Sequence, residues 1–155
     1  MTDIFWLGRD FVDNADTPLN FIETRLHDLS PFSAHEVELD GVVYKTAEHA
    51  YHALRTQPPY ATQAAQASSP LNAWRVAQEA KTAGAMAQYD KDELMERIFR
   101  AKLAQHEDVR RVLRLTGDRE LHKVFDADSY WGTGADGTGE NRMGKLWMKL
   151  RAELA

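Results

Sequence analysis

Val37, Leu39, Val42 and Tyr44 form two short alternating segments on either side of Asp40-Gly41. An Asp-Gly pair favours the positive φ of a two-residue turn, so the stretch predicts a β-hairpin. Beyond it the apolar spacing changes from two to three and four. Thr46 has the character of an N-cap, and a helix is predicted from about Ala47 to Arg55, ending before Pro58-Pro59. Ser69-Pro70 places a cap and then a proline at the first turn of an alanine-rich helix running toward Gly84. Asp90-x-x-Glu93 has capping-box spacing before Leu94, Ile98 and Phe99, and Gly117 closes a further helix bearing Val109, Val112 and Leu113. Met143, Leu146, Trp147, Leu150 and Leu154 predict a final amphipathic helix whose apolar face is core. The first 45 residues lack helical periodicity and carry the turn formers Thr17-Pro18 and Ser30-Pro31. The expected fold class is α+β, a helix-rich single compact domain with a small N-terminal β element.

Composition narrows the function. With 155 residues there is room for one domain, 1–155, and one sizeable core. The chain is 43% hydrophobic and 28% charged, with no apolar run near the roughly 20 residues that span a bilayer. The N-terminus lacks the basic-then-apolar layout of a signal peptide, so the expectation is a cytoplasmic protein with no membrane partner. The absence of cysteine removes disulfides, thiolate nucleophiles and Cys-based zinc sites. A net charge of -5 argues against general nucleic-acid binding, although it leaves open an enzyme that admits one modified base to a local pocket.

Two stretches carry candidate chemistry. In Tyr130-Trp131-Gly132-Thr133-Gly134-Ala135-Asp136-Gly137-Thr138-Gly139-Glu140-Asn141, four of the nine glycines fall in eight residues. Such a backbone lets a ligand approach closely, and the N–H groups of the helix that follows would seat a phosphate. Gly132-x-Gly134-x-x-Gly137 is not a dinucleotide fingerprint, because too little chain follows for a βαβ unit, and Gly144-Lys145-Leu146 lacks the Ser or Thr of a P-loop. A plain surface turn is the competing reading.

The second stretch is Thr46 to Arg55. On a helix, Glu48, Tyr51, His52 and Arg55 share one face, a set able to bind a sugar phosphate and move protons; a solvated first turn fits the same spacing. His49 and His52 are three apart with Glu48 outside the pair, unlike a zinc-protease helix, so no metal is expected. Lys91 lies in a charged first turn and would be nucleophilic only if desolvated. Lys102 and His106 read as surface pairing.

Together these pieces resemble a known family. Asn20-Phe21, Leu29-Ser30-Pro31-Phe32, Asp40-Gly41-x-x-Tyr44-x-Thr46-x-Glu48-His49, Arg100-Ala101-Lys102-x-x-Gln105-His106 and Tyr130-Trp131-Gly132 through Asn141-x-x-Gly144-Lys145-Leu146 occur in the order of the NADAR, or YbiA-like, family. The resemblance runs from about Asn20 to Arg151 and leaves residues 1–19 as an N-terminal extension. It departs at Pro31, where the family usually has Asn, and at a family tryptophan whose nearest counterparts are Ala87 and Tyr89.

The resemblance implies a helix-rich α+β domain that hydrolyses N-glycosidic bonds without a cofactor. The substrate classes it implies are ADP-ribose attached to guanine, as in ADP-ribosylated DNA or RNA, and ribosylamino-pyrimidine phosphates of riboflavin synthesis. Removal of ADP-ribose from guanine is preferred, with the riboflavin intermediates and a non-catalytic ADP-ribose or nucleotide sensor as alternatives. Cleavage at an anomeric carbon develops oxocarbenium character that a carboxylate and a positioned water assist. The expected catalytic residues are Glu48 as acid/base, Asp136 as cation stabiliser, and Lys91 in a lesser covalent alternative. The expected substrate-binding residues are Phe21, Ser30, Phe32, His49, His52, Arg55, Tyr130, Trp131, Gly132, Gly137, Gly139 and Asn141.

Overall fold

The computed structural model describes residues 17–154; most of the expected extension, residues 1–16, lies outside the described residues. The fold is helix-rich α+β, with strands β1 (Leu19–Asn20), β2 (Val37–Leu39), β3 (Val42–Tyr44) and β4 (Leu121–His122). The helices are α1 (Ala47–Leu54), α2 (Tyr60–Gln66), α3 (Pro70–Thr82), α4 (Lys91–Gln105), α5 (Glu107–Leu115) and α6 (Arg142–Leu154). No helix among the described residues is long and apolar enough to cross a membrane. The chain divides into two compact units: Pro31–His106, and the segments before and after it.

In the central unit the predicted hairpin forms. Asp40 and Gly41 take φ of 50° and 83°, and Val37 pairs with Tyr44, Glu38 with Val43 and Leu39 with Val42 in antiparallel register. The free edge of β2 is closed by a side chain rather than a strand. Gln105 accepts from the Glu38 N–H and donates to the Glu38 carbonyl, both at 2.9 Å, which blunts an edge that would otherwise invite pairing. The three predicted caps all hold: the side chains of Thr46, Ser69 and Asp90 accept from the N–H groups of His49, Asn72 and Glu93. α1, α2 and α3 pack on one another through Ala50, Ala53, Ala64, Ala73, Ala77 and Ala80, small residues that permit close approach.

In the flanking unit β1 and β4 pair in parallel, Leu19 with Leu121 and Asn20 with His122. Phe21, Leu29, Val109, Leu113, Leu121 and Trp147 are fully buried, and the Trp147 indole N–H donates to the Leu29 carbonyl at 2.8 Å. A buried indole with its polar edge satisfied fixes the start of the unit against its last helix. Gly144, in the first turn of α6, sits where a Cβ would be driven into the Leu121 carbonyl oxygen and the Asn141 amide. Helix meets strand with no room for a side chain.

Alanine usually improves a helix over glycine by about 1 kcal/mol. Gly144→Ala is expected instead to destabilise by about 3 kcal/mol or more in urea unfolding, and a gain in stability would contradict the close packing.

His49 ties stability to pH. It is 1% exposed, its Nε2–H donates to the Ala67 carbonyl at 2.9 Å, and Thr46 Oγ1 lies 2.8 Å from Nδ1. Burial lowers its pKa, with the Ala67 carbonyl pulling the other way. The folded value therefore lies below the unfolded value of about 6.5, and the unfolded chain takes up the proton first. Stability from the neutral ring is complete above about pH 6.5 and is lost as pH falls through the folded value. The urea midpoint should fall more steeply toward acid in the wild type than in His49→Gln; parallel profiles would contradict this role.

Candidate functional site

Glu48, Tyr51, His52 and Arg55 share the face that their spacing predicts. Glu48 is 9% exposed and His52 2% exposed, so this is not the solvated first turn that the sequence also allowed. His52 Nε2 lies 2.6 Å from Glu48 Oε1, and Arg55 Nε donates to His52 Nδ1 at 3.0 Å. Among the described residues, Glu48 Oε2 accepts no hydrogen bond. Arg55 Nη1 donates to the Tyr89 hydroxyl at 3.2 Å, and its guanidinium carbon stands 5.1 Å from the centre of the Tyr51 ring. Tyr51 and Tyr89 meet edge to face with ring centroids 6.3 Å apart. Burial, the neighbouring Tyr89 and the hydrogen bond between the two phenols raise the Tyr51 pKa, so its hydroxyl keeps its proton across the neutral range. A carboxylate with one oxygen held and one open is equipped to accept a proton from water or to face a developing cation.

His49, one position on from Glu48, faces inward, and both ring nitrogens have partners within the fold. Tyr89, outside the helix face that the sequence predicts, completes the cluster. Its only signal is negative: it lies beside the position where the family tryptophan is missing.

The glycine-rich stretch folds differently from the anion seat expected of it. Gly134 and Gly137 do take positive φ, 72° and 78°. The N–H groups at the start of α6, however, already have acceptors: Asn141 donates to Gly132, Arg142 to Tyr130 and Met143 to Trp131. Gly139 donates to the Thr133 carbonyl and Glu140 to that of Ser129. The turn curls back and satisfies its own helix end, as a buried backbone requires. Asp126, Asp136 and Glu140 line a depression of about 600 Å³ beside it; Glu140 is paired with the Arg142 guanidinium at 2.9 Å, which leaves the lining acidic at Asp126 and Asp136.

Individual residues of the stretch have structural duties. Asn141, at φ 48°, donates to the Leu121 carbonyl and accepts from the Lys123 N–H. A Cβ on Gly139 would stand 2.5 Å from the Gly132 carbonyl oxygen, and one on Gly132 2.8 Å from that of Lys123, so these glycines serve close packing. Asp136 is exposed and its carboxylate accepts from the Thr138 hydroxyl at 2.7 Å and N–H at 3.0 Å; those bonds lower its pKa. Tyr130 and Trp131 are half-buried and touch edge to face, with the Arg142 guanidinium carbon 4.6 Å from the centre of the Tyr130 ring. Phe21 is fully buried and Ser30 3% exposed, whereas Phe32 is 41% exposed. A fully buried Phe21 packs the core and has no face to offer a base.

Asp128, which the sequence does not single out, organises the turn. Its Oδ1 accepts from the N–H groups of Tyr130 and Trp131, and Oδ2 takes the Lys123 ammonium at 2.8 Å. Burial would raise its pKa, but the bond and charge of Lys123 together with the two N–H groups lower it. An acidic residue two positions before Tyr130 is its only trace in the sequence.

The lysines correct the sequence reading. Lys91 is exposed on the first turn of α4, whereas Lys102 is completely buried and donates to Ser33 Oγ at 2.7 Å. Surface pairing is therefore overturned for Lys102. The signal is present in the sequence, since Met95, Ile98, Phe99, Lys102 and Leu103 form one helical stripe with a lysine in an apolar position. His106 is half-buried and donates from Nε2 to the Glu36 carbonyl at 2.6 Å.

Comparison with known proteins places the chain in a family. The chain is 34% identical to N-glycosidase YbiA of Escherichia coli over 90% of each chain. It is 31% identical to an N-glycosidase of Nostoc punctiforme, over 81% of this chain and 83% of that one. A riboflavin biosynthesis protein of Vibrio vulnificus is 30% identical over 81% of this chain but only 35% of its own length. The NMR structure of E. coli YbiA superimposes with a TM-score of 0.78 at 32% identity, covering 90% of this chain and 85% of that one. With the NADAR domain matching residues 19–155 as well, the chain belongs to the NADAR family.

Proposed function

We propose that this chain, an N-glycosidase of the NADAR family, cleaves the bond between a ribosyl anomeric carbon and a base nitrogen, with Glu48 as the acid/base group. What supports this is the Glu48 carboxylate, nearly buried, with Oε1 fixed by His52 and, among the described residues, no hydrogen bond to Oε2. As the C–N bond breaks, Glu48 faces the developing oxocarbenium and takes a proton from the attacking water. The water oxygen bonds to the anomeric carbon, and the proton passes to the departing nitrogen. Asp136 and Lys91, both exposed, are secondary candidates for charge stabilisation and covalent attack.

The substrate in this proposal is an ADP-ribosyl group on guanine. The riboflavin reading has an observation of its own in its favour. The glycine-rich turn, expected to seat a phosphate, has N–H groups engaged internally, which removes a hold that a diphosphate would use, and a relative carries a riboflavin biosynthesis name. Incubation with ADP-ribosylated guanosine and, separately, with a ribosylamino-pyrimidine phosphate, followed by mass analysis, decides between them. Release of free ADP-ribose is expected. Release of ribose phosphate alone would transfer the proposal to the second substrate, and ligand binding without any release would replace both with a sensor.

Glu48→Gln keeps size and hydrogen-bonding capacity but cannot exchange a proton near neutral pH. Folding and binding should survive while turnover falls by about a hundredfold to ten-thousandfold. Glu153→Gln, exposed in the last turn of α6, should leave turnover unchanged. Near-normal hydrolysis by Glu48→Gln would move the chemistry to Asp136 or Lys91.

A further inference from the structure

The hydrogen bonds along α1 have a direction. A guanidinium stays charged and has no acceptor, so the Arg55 Nε–H must donate to His52 Nδ1, 3.0 Å away, and Nδ1 must present its lone pair. The proton of the neutral ring is then on Nε2, where it points at Glu48 Oε1 at 2.6 Å. The other tautomer would set an N–H against the N–H of Arg55 and a lone pair against the carboxylate. A doubly protonated ring would keep the bond to Glu48 but oppose Arg55 donor to donor.

We infer that Arg55 is a positioning residue for hydrolysis: by locking His52 as its Nε2–H tautomer, it holds the Glu48 carboxylate in one orientation with Oε2 free for water or substrate. The inference rests on Glu48 as the reacting group. It departs from the expectation that His52 and Arg55 bind substrate directly.

Arg55 is itself held. Its Nη1 donates to Tyr89, and its guanidinium carbon stands over the Tyr51 ring, 5.1 Å from the ring centre. Tyr51 is 5% exposed and hydrogen-bonded to Tyr89, so the two phenols close the series at the far end from Glu48. Glu48, His52 and Arg55 stand four and three residues apart, the spacings at which helical neighbours meet. Orienting a metal-bound or catalytic imidazole through the bond made by its other nitrogen is a general device, and here the imidazole in turn orients a carboxylate.

Glutamine mimics this arrangement at position 52. Its amide NH₂ can donate to Glu48 while its carbonyl accepts from Arg55, and it has no second tautomer. That separates positioning from substrate contact.

The test uses the full chain and whichever of the two substrate probes the wild type cleaves. It compares kcat and KM for Arg55→Met, His52→Leu, His52→Gln and the double variant His52→Gln/Arg55→Met, and reads the ring protons by ¹H–¹⁵N NMR of histidine side chains. Wild-type His52 should carry its proton on Nε2, and Arg55→Met, which leaves Nδ1 without its donor and the ring free to turn, should lower kcat by about tenfold or more with KM within about twofold. His52→Leu should lose at least as much, and His52→Gln should recover most of that loss. In the His52→Gln background, removing Arg55 should cost no more than about threefold, because the two residues act as a unit.

Equal losses from Arg55→Met in both backgrounds, or a KM increase of about tenfold, would overturn the inference and make Arg55 a substrate ligand. A wild-type His52 protonated on Nδ1 would overturn it even if Arg55→Met failed to fold or neither probe were cleaved. Failure of the Glu48 assignment is distinguishable, because Glu48→Gln would then hydrolyse nearly normally whatever the tautomer.

Discussion

Arginine can donate hydrogen bonds but cannot accept them, and the arrangement of the α1 cluster follows from that asymmetry. Once Arg55 donates to His52 Nδ1, the polarity of the His52 ring is fixed, and the Glu48 oxygen opposite must be an acceptor. The helix supplies the register, because positions 48, 52 and 55 superpose along one face. The cap supplies the origin of that register. Thr46 Oγ1 accepts from the His49 N–H and its hydroxyl donates to His49 Nδ1, while Nε2–H donates to the Ala67 carbonyl. His49 thus anchors the first turn from inside, while Glu48, its neighbour in sequence, turns its largely buried carboxylate to His52.

The glycine-rich turn illustrates the reverse situation, in which local chemistry turns inward. Its composition has every attribute of an anion site: positive φ, small side chains and a helix behind it. In the folded chain the same glycines let the backbone bend back, so carbonyls of Tyr130, Trp131 and Gly132 reach the first N–H groups of α6. Asp128 gathers two further N–H groups and the Lys123 ammonium. Glu140 takes the Arg142 guanidinium in the same way, so the cations beside the turn are already engaged with its own carboxylates.

Local devices are legible in the sequence because each depends on few neighbouring residues. The Asp40-Gly41 turn, the caps at Thr46, Ser69 and Asp90 and the shared face of Glu48, His52 and Arg55 all fall in this class. α2 is not legible, since its Tyr-Ala-Thr-Gln-Ala-Ala-Gln segment has no amphipathic stripe. The two-residue strands β1 and β4 are too short to show a period, and their pairing joins residues about a hundred positions apart. Tyr89 and Ser33 matter through contacts with distant positions, Arg55 and Lys102, that spacing does not reveal. Lys102 differs, because its place in an apolar stripe is visible, and only the general tendency of a charged side chain to seek solvent points the other way. The family is recognisable because its motifs are ordered along the chain, which needs no knowledge of how they meet in space.

In the proposed mechanism the reacting bond lies at the Glu48 carboxylate. A crystal structure of Glu48→Gln with uncleaved substrate tests it most directly. The anomeric carbon and its nitrogen should lie within reach of the residue 48 side chain, about 3 Å directly or through one water. A complex with the N-glycosidic bond on a different face of the protein, beyond the reach of any single bridging water, would contradict it.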